Sequence, residues 1–367
     1  MTSEVLEQPK LSDVARHLVL PTAPIERSLY PEVAQTLDDL GVPMDRWQSG
    51  LHQIALGRSA DGTFLCRVDG LTLSAPRQVG KTYAFGWLFF ALAIRFPNMN
   101  LVWTAHHEDT TVETFENMAE MAQEPLVRPH LKPGAAGIRR AKPNWSLNFK
   151  NGSKIRFASR ERGFGRGKAG IDMILFDEAQ ILSQTAVENM TAATNVSPIG
   201  IKIFIGTPPR PFDKSQVFKR KRYNALHPVD GVPLRGAYVE LSSVKEADWR
   251  DNEATRSANP AYRLGRVNQD AIDSLRSDLG EESYRREGMG IWDSDLVESA
   301  IDLEKWELSA IEMDDVPGEV AAYSVDPLDS TKKRVHLVVD AGIDGKSAYE
   351  IAVENGFVGT ESEWLVS

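Results

Sequence analysis

The chain has 367 residues, a formal net charge of −10, 42% hydrophobic residues and a single cysteine. This length predicts two domains or one large domain with an appendage, and one cysteine excludes an internal disulfide framework. The polar N-terminus argues against a secretory signal, and the longest apolar run, FGWLFFALAI, is too short to span a bilayer. The acidic net charge excludes a protein that coats nucleic acid with its whole surface.

Two segments of the sequence are basic, although the net charge of the chain is negative. Residues 139–168 contain ten Lys or Arg and one acid, and residues 219–222 read KRKR. Such stretches either form solvated faces or follow a phosphate backbone, in which case binding would weaken steeply with salt. The composition alone leaves both alternatives open.

Hydrophobic patterning, followed along the chain, predicts an α/β protein. Helices are expected over residues 44–56, 82–96 and 108–122, strands over residues 71–74, 100–105, 171–180 and 201–209, and helical structure again within residues 245–295. Asp69-Gly70 and Asn151-Gly152 are turn signals that predict hairpins over residues 63–75 and 145–159. Continuous apolar strands separated by helices indicate a mostly parallel sheet with helices on both faces.

The stretch SAPRQVGKT, residues 74–82, contains most of a phosphate-binding loop. The pattern G-x-x-x-x-G-K-[ST] is completed by Gly80-Lys81-Thr82, but Ala75 stands where the first glycine belongs. In such a loop backbone N–H groups wrap a phosphate, the lysine reaches the β and γ oxygens, and the hydroxyl ligates Mg²⁺. The preceding strand and the following helix supply the context that the motif requires, so we expect ATP here. The expected nucleotide contacts are Ala75, Pro76, Arg77, Gln78, Val79, Gly80, Lys81 and Thr82, and Thr82 is also an expected metal ligand.

Two later strands end in residues that suit the same chemistry. Asp177 and Glu178 follow the apolar run MILF, where the first carboxylate can hold Mg²⁺ through water and the second can polarise the attacking water. An exposed acidic pair at a strand end is the alternative for these residues taken alone. Thr207 ends the strand IKIFIG and can sense the γ-phosphate, as in ATPases with an additional strand, although ordinary turn chemistry explains it equally well.

Taken together, these motifs resemble the large terminase subunit of tailed bacteriophages, the ATPase that drives DNA into procapsids. The resemblance covers residues 40–310 and predicts a P-loop NTPase of the additional-strand, RecA-like type. The family's loop often lacks its first glycine and carries a basic residue, as Arg77 does here, and LFDEA, GTPP and GFGRGKAG match further family motifs. The family's aromatic-Gln pair, which contacts adenine, is matched by Trp47-Gln48. The resemblance also implies five segments: an N-terminal arm (1–43), the P-loop ATPase core (44–244), a helical lid subdomain (245–300), a linker (301–317) and a short β-containing tail (318–367).

The resemblance further assigns roles to arginines, since a guanidinium can stabilise charge on a transferred phosphoryl group. Arg77 is the candidate within the same subunit. Arg166, on the Gly-rich turn, is the candidate from a neighbouring subunit, with Arg160 and Arg162 as runners-up. The sequence does not distinguish an arginine finger from a contact to a DNA phosphate.

At its C-terminal end the chain departs from the family pattern. The segment VAAYSVDPLDSTKKRVHLVVD resembles the first hairpin of the RNase H-like nuclease of large terminases, with Asp326 at the position of its first metal ligand. The following residues resemble a short module of phage tail-fibre proteins, so we expect weak or absent nuclease activity.

The expected function is therefore an ATP- and Mg²⁺-dependent motor that translocates double-stranded DNA. The resemblance implies a portal protein and a terminase small subunit as partners, a homo-oligomeric ring that is pentameric by family analogy, no membrane association, and a location in the bacterial host cytoplasm with transient docking on procapsids. Two alternatives remain: a helicase-like remodelling ATPase on the same fold, and a non-enzymatic virion interaction protein with a vestigial ATPase core.

Overall fold

The computed structural model of the chain describes residues 8–142, 145–160, 170–211 and 213–293, together with the strand backbone at 323–326 and 329–335. The chain divides into two compact units, Met1–Asp293 and Ser294–Ser367. Within the described ranges, no helix is long and apolar enough to cross a membrane. The five segment boundaries expected from the sequence stay predictions.

The strands and helices of the described residues are as follows. The strands are β1 (His17–Val19), β2 (Arg27–Ser28), β3 (Gly57–Arg58), β4 (Gly70–Ser74), β5 (Asn100–Ala105), β6 (Ile138–Arg139), β7 (Ser146–Asn148), β8 (Lys154–Ser159), β9 (Met173–Phe176), β10 (Ile201–Gly206), β11 (Gly236–Glu240), β12 (Tyr323–Asp326) and β13 (Asp329–Val335). The helices are α1 (Leu11–Val14), α2 (Tyr30–Asp39), α3 (Arg46–Ala55), α4 (Lys81–Arg95), α5 (Glu108–Met121), α6 (Gln184–Thr191), α7 (Gln216–Leu226), α8 (Asn252–Ala258), α9 (Pro260–Arg263) and α10 (Gln269–Glu287).

One nine-stranded sheet, in the order β1-β11-β4-β10-β9-β5-β8-β7-β6, organises the described part of the first unit. The strands from β11 to β8 are parallel to their neighbours, whereas β1 at one edge and β7 and β6 at the other are antiparallel. β10 lies between the strand that leads into the phosphate loop and the strand that ends in the acidic pair. This order defines the additional-strand class, so the predicted fold class is confirmed.

Side chains of the central strands alternate between two hydrophobic cores, one on each face of the sheet. On β9, Leu175 packs with the core that contains α3, α4 and α5, while Phe176 packs with the core that contains α6 and α7. Helix α4 is buried along most of its length, which explains why its sequence is nearly continuously apolar. Helices therefore cover both faces, as expected for parallel strands.

The predicted hairpin over residues 63–75 is wrong. Residues Leu65–Arg67 form a 3₁₀ turn, and only the second arm, β4, is a strand. Asp69 instead exchanges hydrogen bonds with Arg235, since its N–H donates to the Arg235 carbonyl and its carboxylate accepts from the Arg235 N–H. Asp69-Gly70 therefore form the bend at which the chain enters the parallel strand β4, and they do not form the turn of a hairpin. The hairpin at Asn151-Gly152 is present, with β7 antiparallel to β8.

In the second unit the described backbone is limited to β12 and β13. They pair antiparallel, as the sequence predicts for this segment, with Asp326 opposite Asp329 at the irregular end of the pair. The Asp326 side chain lies outside the described structure.

Candidate active site

The phosphate loop joins the carboxyl end of β4 to the first turn of α4. The Ala75 N–H donates to the Gly206 carbonyl at 3.0 Å, which ties the loop to β10. Gln78 and Gly80 have left-handed backbones, with φ of +58° and +89°, and the N–H groups of Gln78, Val79 and Gly80 find no backbone acceptor among the described residues. Ala75 is buried and is not among the residues with positive φ, so the position occupied by glycine in the common pattern tolerates a Cβ here.

Lys81 is the first residue of α4 and its side chain turns back over the loop. Its Nζ donates to the carbonyls of Ala75 at 3.0 Å and Pro76 at 2.6 Å. Burial lowers the pKa of Lys81 to about 8, while the charge of Asp177 acts in the opposite direction. The ammonium therefore lies at the centre of the loop, where phosphate oxygens bind in proteins of this type. Thr82, next along the helix, is exposed.

The acidic pair lies at the carboxyl end of β9, and Asp177 is close enough to Lys81 for the two charges to interact. The Asp177 carboxylate accepts from the Trp103 indole N–H at 3.2 Å and from the Glu178 N–H at 2.9 Å. Burial raises the pKa of Asp177, the hydrogen bond from the Glu178 N–H lowers it, the charge of the Glu178 side chain raises it, and the charge of Lys81 lowers it. Glu178 has a left-handed backbone, with φ of +51°, and its Oε2 is buried without a hydrogen-bond partner among the described residues.

Thr207 lies one strand away, at the end of β10, and is only 8% exposed. Its N–H donates to the side-chain carbonyl of Gln180 at 3.3 Å. A Cβ on Gly206 would come within 2.5 Å of that same Gln180 oxygen, so a larger residue there would displace the Gln180 side chain from Thr207. Sequence reasoning missed Gln180, although it directly follows the motif LFDEA.

The Trp47-Gln48 pair lies at the start of α3, on the core side of the loop. Trp47 is 1% exposed and packs in the core, whereas the Gln48 amide nitrogen lies 3.5 Å from where a Cβ on Gly80 would stand. The Gln48 oxygen accepts from the Asp45 N–H at 3.1 Å, which caps the helix. Gln48 therefore adjoins the loop, while an adenine contact by Trp47 would need its ring to leave the core.

Arg77 points from the loop towards the end of α10. Its side chain is half exposed and forms an ion pair with Glu287, which is buried, and its N–H donates to the Glu287 carbonyl at 2.7 Å. Arg210, which follows β10, reaches the same carboxylate at 3.0 Å. Neither Glu287 nor Arg210 was found from the sequence, because no local pattern marks an acid that pairs with residues so distant along the chain.

Arg160, a runner-up for the finger from a neighbouring subunit, is buried within its own subunit. It is 6% exposed, and its guanidinium donates to the backbone carbonyls of Thr104, Asp177 and Glu178. This arrangement leaves it no reach towards another subunit, so that assignment is wrong for Arg160. Arg162 and Arg166 lie outside the described residues.

The basic stretches are less available than their sequences suggest. In the KRKR segment Arg222 pairs with buried Glu240 at 2.8 Å and Lys221 covers the Phe204 ring, so only Lys219 and Arg220 are exposed. In the first stretch, two of the cations pair with acids on α5: Arg140 with Glu116 and Lys142 with Glu108. Within the described parts of the two stretches, these four cations are therefore engaged in contacts inside the chain.

The oxygen donors at the loop suit Mg²⁺ in particular. No group of three or more metal-ligating side chains occurs in the described ranges. Mg²⁺ in nucleotide sites is commonly bound by one or two protein oxygens together with water and substrate phosphates. Thr82 carries a hydroxyl of this kind on the first turn of α4, and Asp177 carries a carboxylate at the end of β9.

A phosphate loop, an acidic pair and an intervening strand at one edge of a parallel sheet define a P-loop ATPase of the additional-strand class. Comparison with protein families narrows this class. The family model "Terminase large subunit, T4likevirus-type, N-terminal" matches residues 72–301. The chain therefore belongs to the terminase large subunit family, in agreement with the resemblance found in the sequence.

Solved structures of large terminases are similar to this chain, and the one with a TM-score above 0.5 supports the fold. The large terminase of bacteriophage HK97 is 16% identical, with a TM-score of 0.59 over 79% of this chain and 60% of that chain. The ATPase domain of the large terminase of Thermus phage P74-26 is 14% identical, with a TM-score of 0.46 over 70% of this chain and 97% of that domain. No curated protein gave a significant match. This chain thus spans about 60% of the length of the HK97 enzyme.

Proposed function

We propose that the chain hydrolyses Mg²⁺-ATP at the phosphate loop and uses the energy to translocate double-stranded viral DNA into procapsids. The observation that carries the proposal is the placement of Lys81 after β4 and of Asp177 and Glu178 after β9, at the carboxyl ends of the two strands that flank β10, within a chain of the terminase large subunit family. The side chain of Asp326 lies outside the described structure, so the proposal concerns the ATPase alone.

Hydrolysis needs a water oxygen to bond to the γ-phosphorus while the bond from that phosphorus to the ADP oxygen breaks. Lys81 and the loop N–H groups hold the phosphate oxygens, and the Glu178 carboxylate orients the water and takes its proton. Mg²⁺, held by Thr82 and through water by Asp177, supplies charge stabilisation when it is bound. Thr207, at the end of the intervening strand, reports the presence of the γ-phosphate to β10.

The remaining assignments follow from the family. We propose that Arg77 stabilises the transferred phosphoryl group in the same subunit and that Arg166 does so from a neighbouring subunit of a ring, pentameric by family analogy. Gln48 contacts adenine, with Trp47 supporting its helix. Portal protein, terminase small subunit and DNA are the proposed partners, in the cytoplasm of a bacterial host.

The proposal is tested by ATP hydrolysis measured with and without procapsid–portal complexes and linear DNA. We expect Glu178→Gln to retain ATP binding and to lose hydrolysis by about 100-fold or more, because a general base contributes roughly that factor. Lys81→Ala should weaken ATP binding itself. Glu124→Gln, at an exposed acid outside the site, is the matched control and should behave as wild type.

Two results would overturn the proposal. One is a wild-type protein that hydrolyses no ATP under any of these conditions, which would favour a vestigial ATPase core. The other is hydrolysis that is stimulated by nucleic acid but never depends on the portal complex, which would favour a helicase-like remodeller.

A further inference from the structure

Arg160 spans the ends of three strands beside the acidic pair. It follows β8 directly, and its guanidinium reaches across β5 to β9. Nη1 donates to the carbonyl of Thr104 at 3.1 Å and to that of Asp177 at 2.6 Å, and Nη2 donates to that of Glu178 at 3.3 Å. A planar guanidinium is suited to hold several acceptors in one fixed geometry.

The backbone that Arg160 holds is unusual. Glu178 has φ of +51° and ψ of +49°, a left-handed conformation that costs a residue with a Cβ about 1–2 kcal/mol. The peptide before Glu178 is held on both sides, because its carbonyl accepts from Arg160 and its N–H donates to the Asp177 carboxylate at 2.9 Å. The peptide after Glu178 is held through its own carbonyl, which accepts from Arg160 at 3.3 Å and from the Ile181 N–H at 3.1 Å. A right-handed Glu178 would turn that carbonyl away from the guanidinium.

The direction of the Glu178 side chain depends on this backbone. Its Oε2 is buried and has no hydrogen-bond partner among the described residues, so no hydrogen bond from those residues to Oε2 holds the carboxylate in place. The conformation of the backbone then sets the direction in which the side chain leaves the strand end.

We propose that Arg160 is a positioning residue, which holds Glu178 in its left-handed conformation and thereby aims the Glu178 carboxylate at the attacking water. This inference rests on the proposed ATPase function. Arg160 contacts the backbone carbonyls on either side of Glu178, so it acts through that residue. Burial lowers the pKa of Arg160 to about 10, so the side chain stays protonated, with all its donors, at neutral pH.

The test measures kcat, nucleotide affinity and melting temperature for Arg160→Met and Arg160→Lys in the full chain, with the portal complex and DNA. We expect Arg160→Met to bind a fluorescent ATP analogue with nearly wild-type affinity and to lose about 100-fold in kcat, the usual scale for a misplaced catalytic group. Arg160→Lys keeps the positive charge but lacks the planar guanidinium that binds several acceptors at once. We therefore expect this variant to fold and its kcat to fall about tenfold. Arg156→Met is the matched control, because Arg156 lies on the same strand and donates to Asn100 at the other end of β5.

A double-mutant cycle separates positioning from a general structural role. If Arg160 acts through Glu178, adding Arg160→Met to Glu178→Gln should lower the residual rate by less than threefold, because the interaction is already lost. The inference would be overturned if the reduction in kcat of the double variant equalled the product of the reductions in the two single variants. A folded Arg160→Lys protein with wild-type kcat would also overturn it. A wild-type protein without hydrolysis would instead contradict the proposed function.

Discussion

His52 is a buried histidine whose two ring nitrogens are in different situations. It lies between the rings of Tyr30 and Phe85, each with its centroid 6.0 Å away. Its Nε2 lies 3.1 Å from the Ala84 carbonyl, while Nδ1 has no hydrogen-bond partner in the described structure. Burial lowers the pKa of His52 to about 4, whereas the ordinary value of 6.5 applies in the unfolded chain.

This difference predicts a pH dependence of stability. Because the folded-state pKa is the lower one, the unfolded chain takes up a proton first as the pH falls. Above pH 6.5 His52 is neutral in both the folded and the unfolded chain and does not lower the free energy of unfolding. Between pH 6.5 and pH 4 the free energy of unfolding falls progressively, by roughly 3 kcal/mol in total. Urea unfolding at pH 4.5 and pH 7 should show a smaller pH effect for His52→Gln than for wild type. His227→Gln, at an exposed histidine, should keep the wild-type pH effect, and equal effects in all three proteins would contradict the prediction.

At the same scale, the sequence predicted the site residues that lie within short motifs and missed those that act across the fold. Lys81 and Asp177 could be placed because each sits at a fixed offset from a strand end. Glu287 could not, because its partners are far away in the sequence. Arg160 was noticed for its charge, but only the fold shows that three carbonyls surround it. A charge that is buried by distant elements leaves no local pattern.

At the scale of elements, the end of α10 and the segment after it bind the phosphate loop to the rest of the first unit. Glu287 links Arg77 in the loop to Arg210 after β10. A Cβ on Gly290, which has φ of +67°, would come within 3.0 Å of Pro76 and 2.3 Å of the Leu241 carbonyl. The phosphate loop therefore packs against Glu287 and Gly290, which lie about 200 residues later in the sequence.

Glu287→Gln should loosen this connection. Both arginines are more than half exposed, so solvent screens the pairs and we expect a loss of only about 1–2 kcal/mol of unfolding free energy. The loss should shrink when ATP is added, because bound phosphate gives Arg77 another anionic partner. Chemical denaturation with and without nucleotide measures both effects. Glu281→Gln, at an exposed acid on the same helix, is the control, and a loss that is equal for both variants would contradict the role of Glu287.

The elements themselves were largely predictable, for a physical reason. Strands buried on both faces must be apolar along their length, so β5, β9 and β10 were visible as continuous runs. The error at residues 63–75 arose because Asp69-Gly70 provides a left-handed bend, and such a bend serves a strand entry as well as a hairpin. Pairing decides between the two, and pairing is not local.

At the scale of the whole molecule, strand order was the step that the sequence alone could not supply. Nothing in the run IKIFIG states that β10 inserts between β4 and β9. The family resemblance supplied that expectation, and the sheet confirms it. The same limit applied to β1, which adds an antiparallel edge strand to the sheet from within the predicted N-terminal arm.

The division of the chain at Asp293 predicts where it can be cut. Trp292 is buried, donates from its indole to the Ser74 hydroxyl at 2.9 Å, and packs with Phe218 and Arg222. A chain ending at Asp293 keeps these contacts, so we expect it to fold, with a melting temperature close to that of the first transition of the full chain.

A chain ending at Gly288 loses the buried side chains of Met289, Ile291 and Trp292, which should cost about 5 kcal/mol or more. Since domains are commonly stable by only about 5–15 kcal/mol, the shorter chain should be largely unfolded. Circular dichroism melts of the two truncated chains distinguish the outcomes, and equal stability would show that the segment after α10 is not part of the first unit.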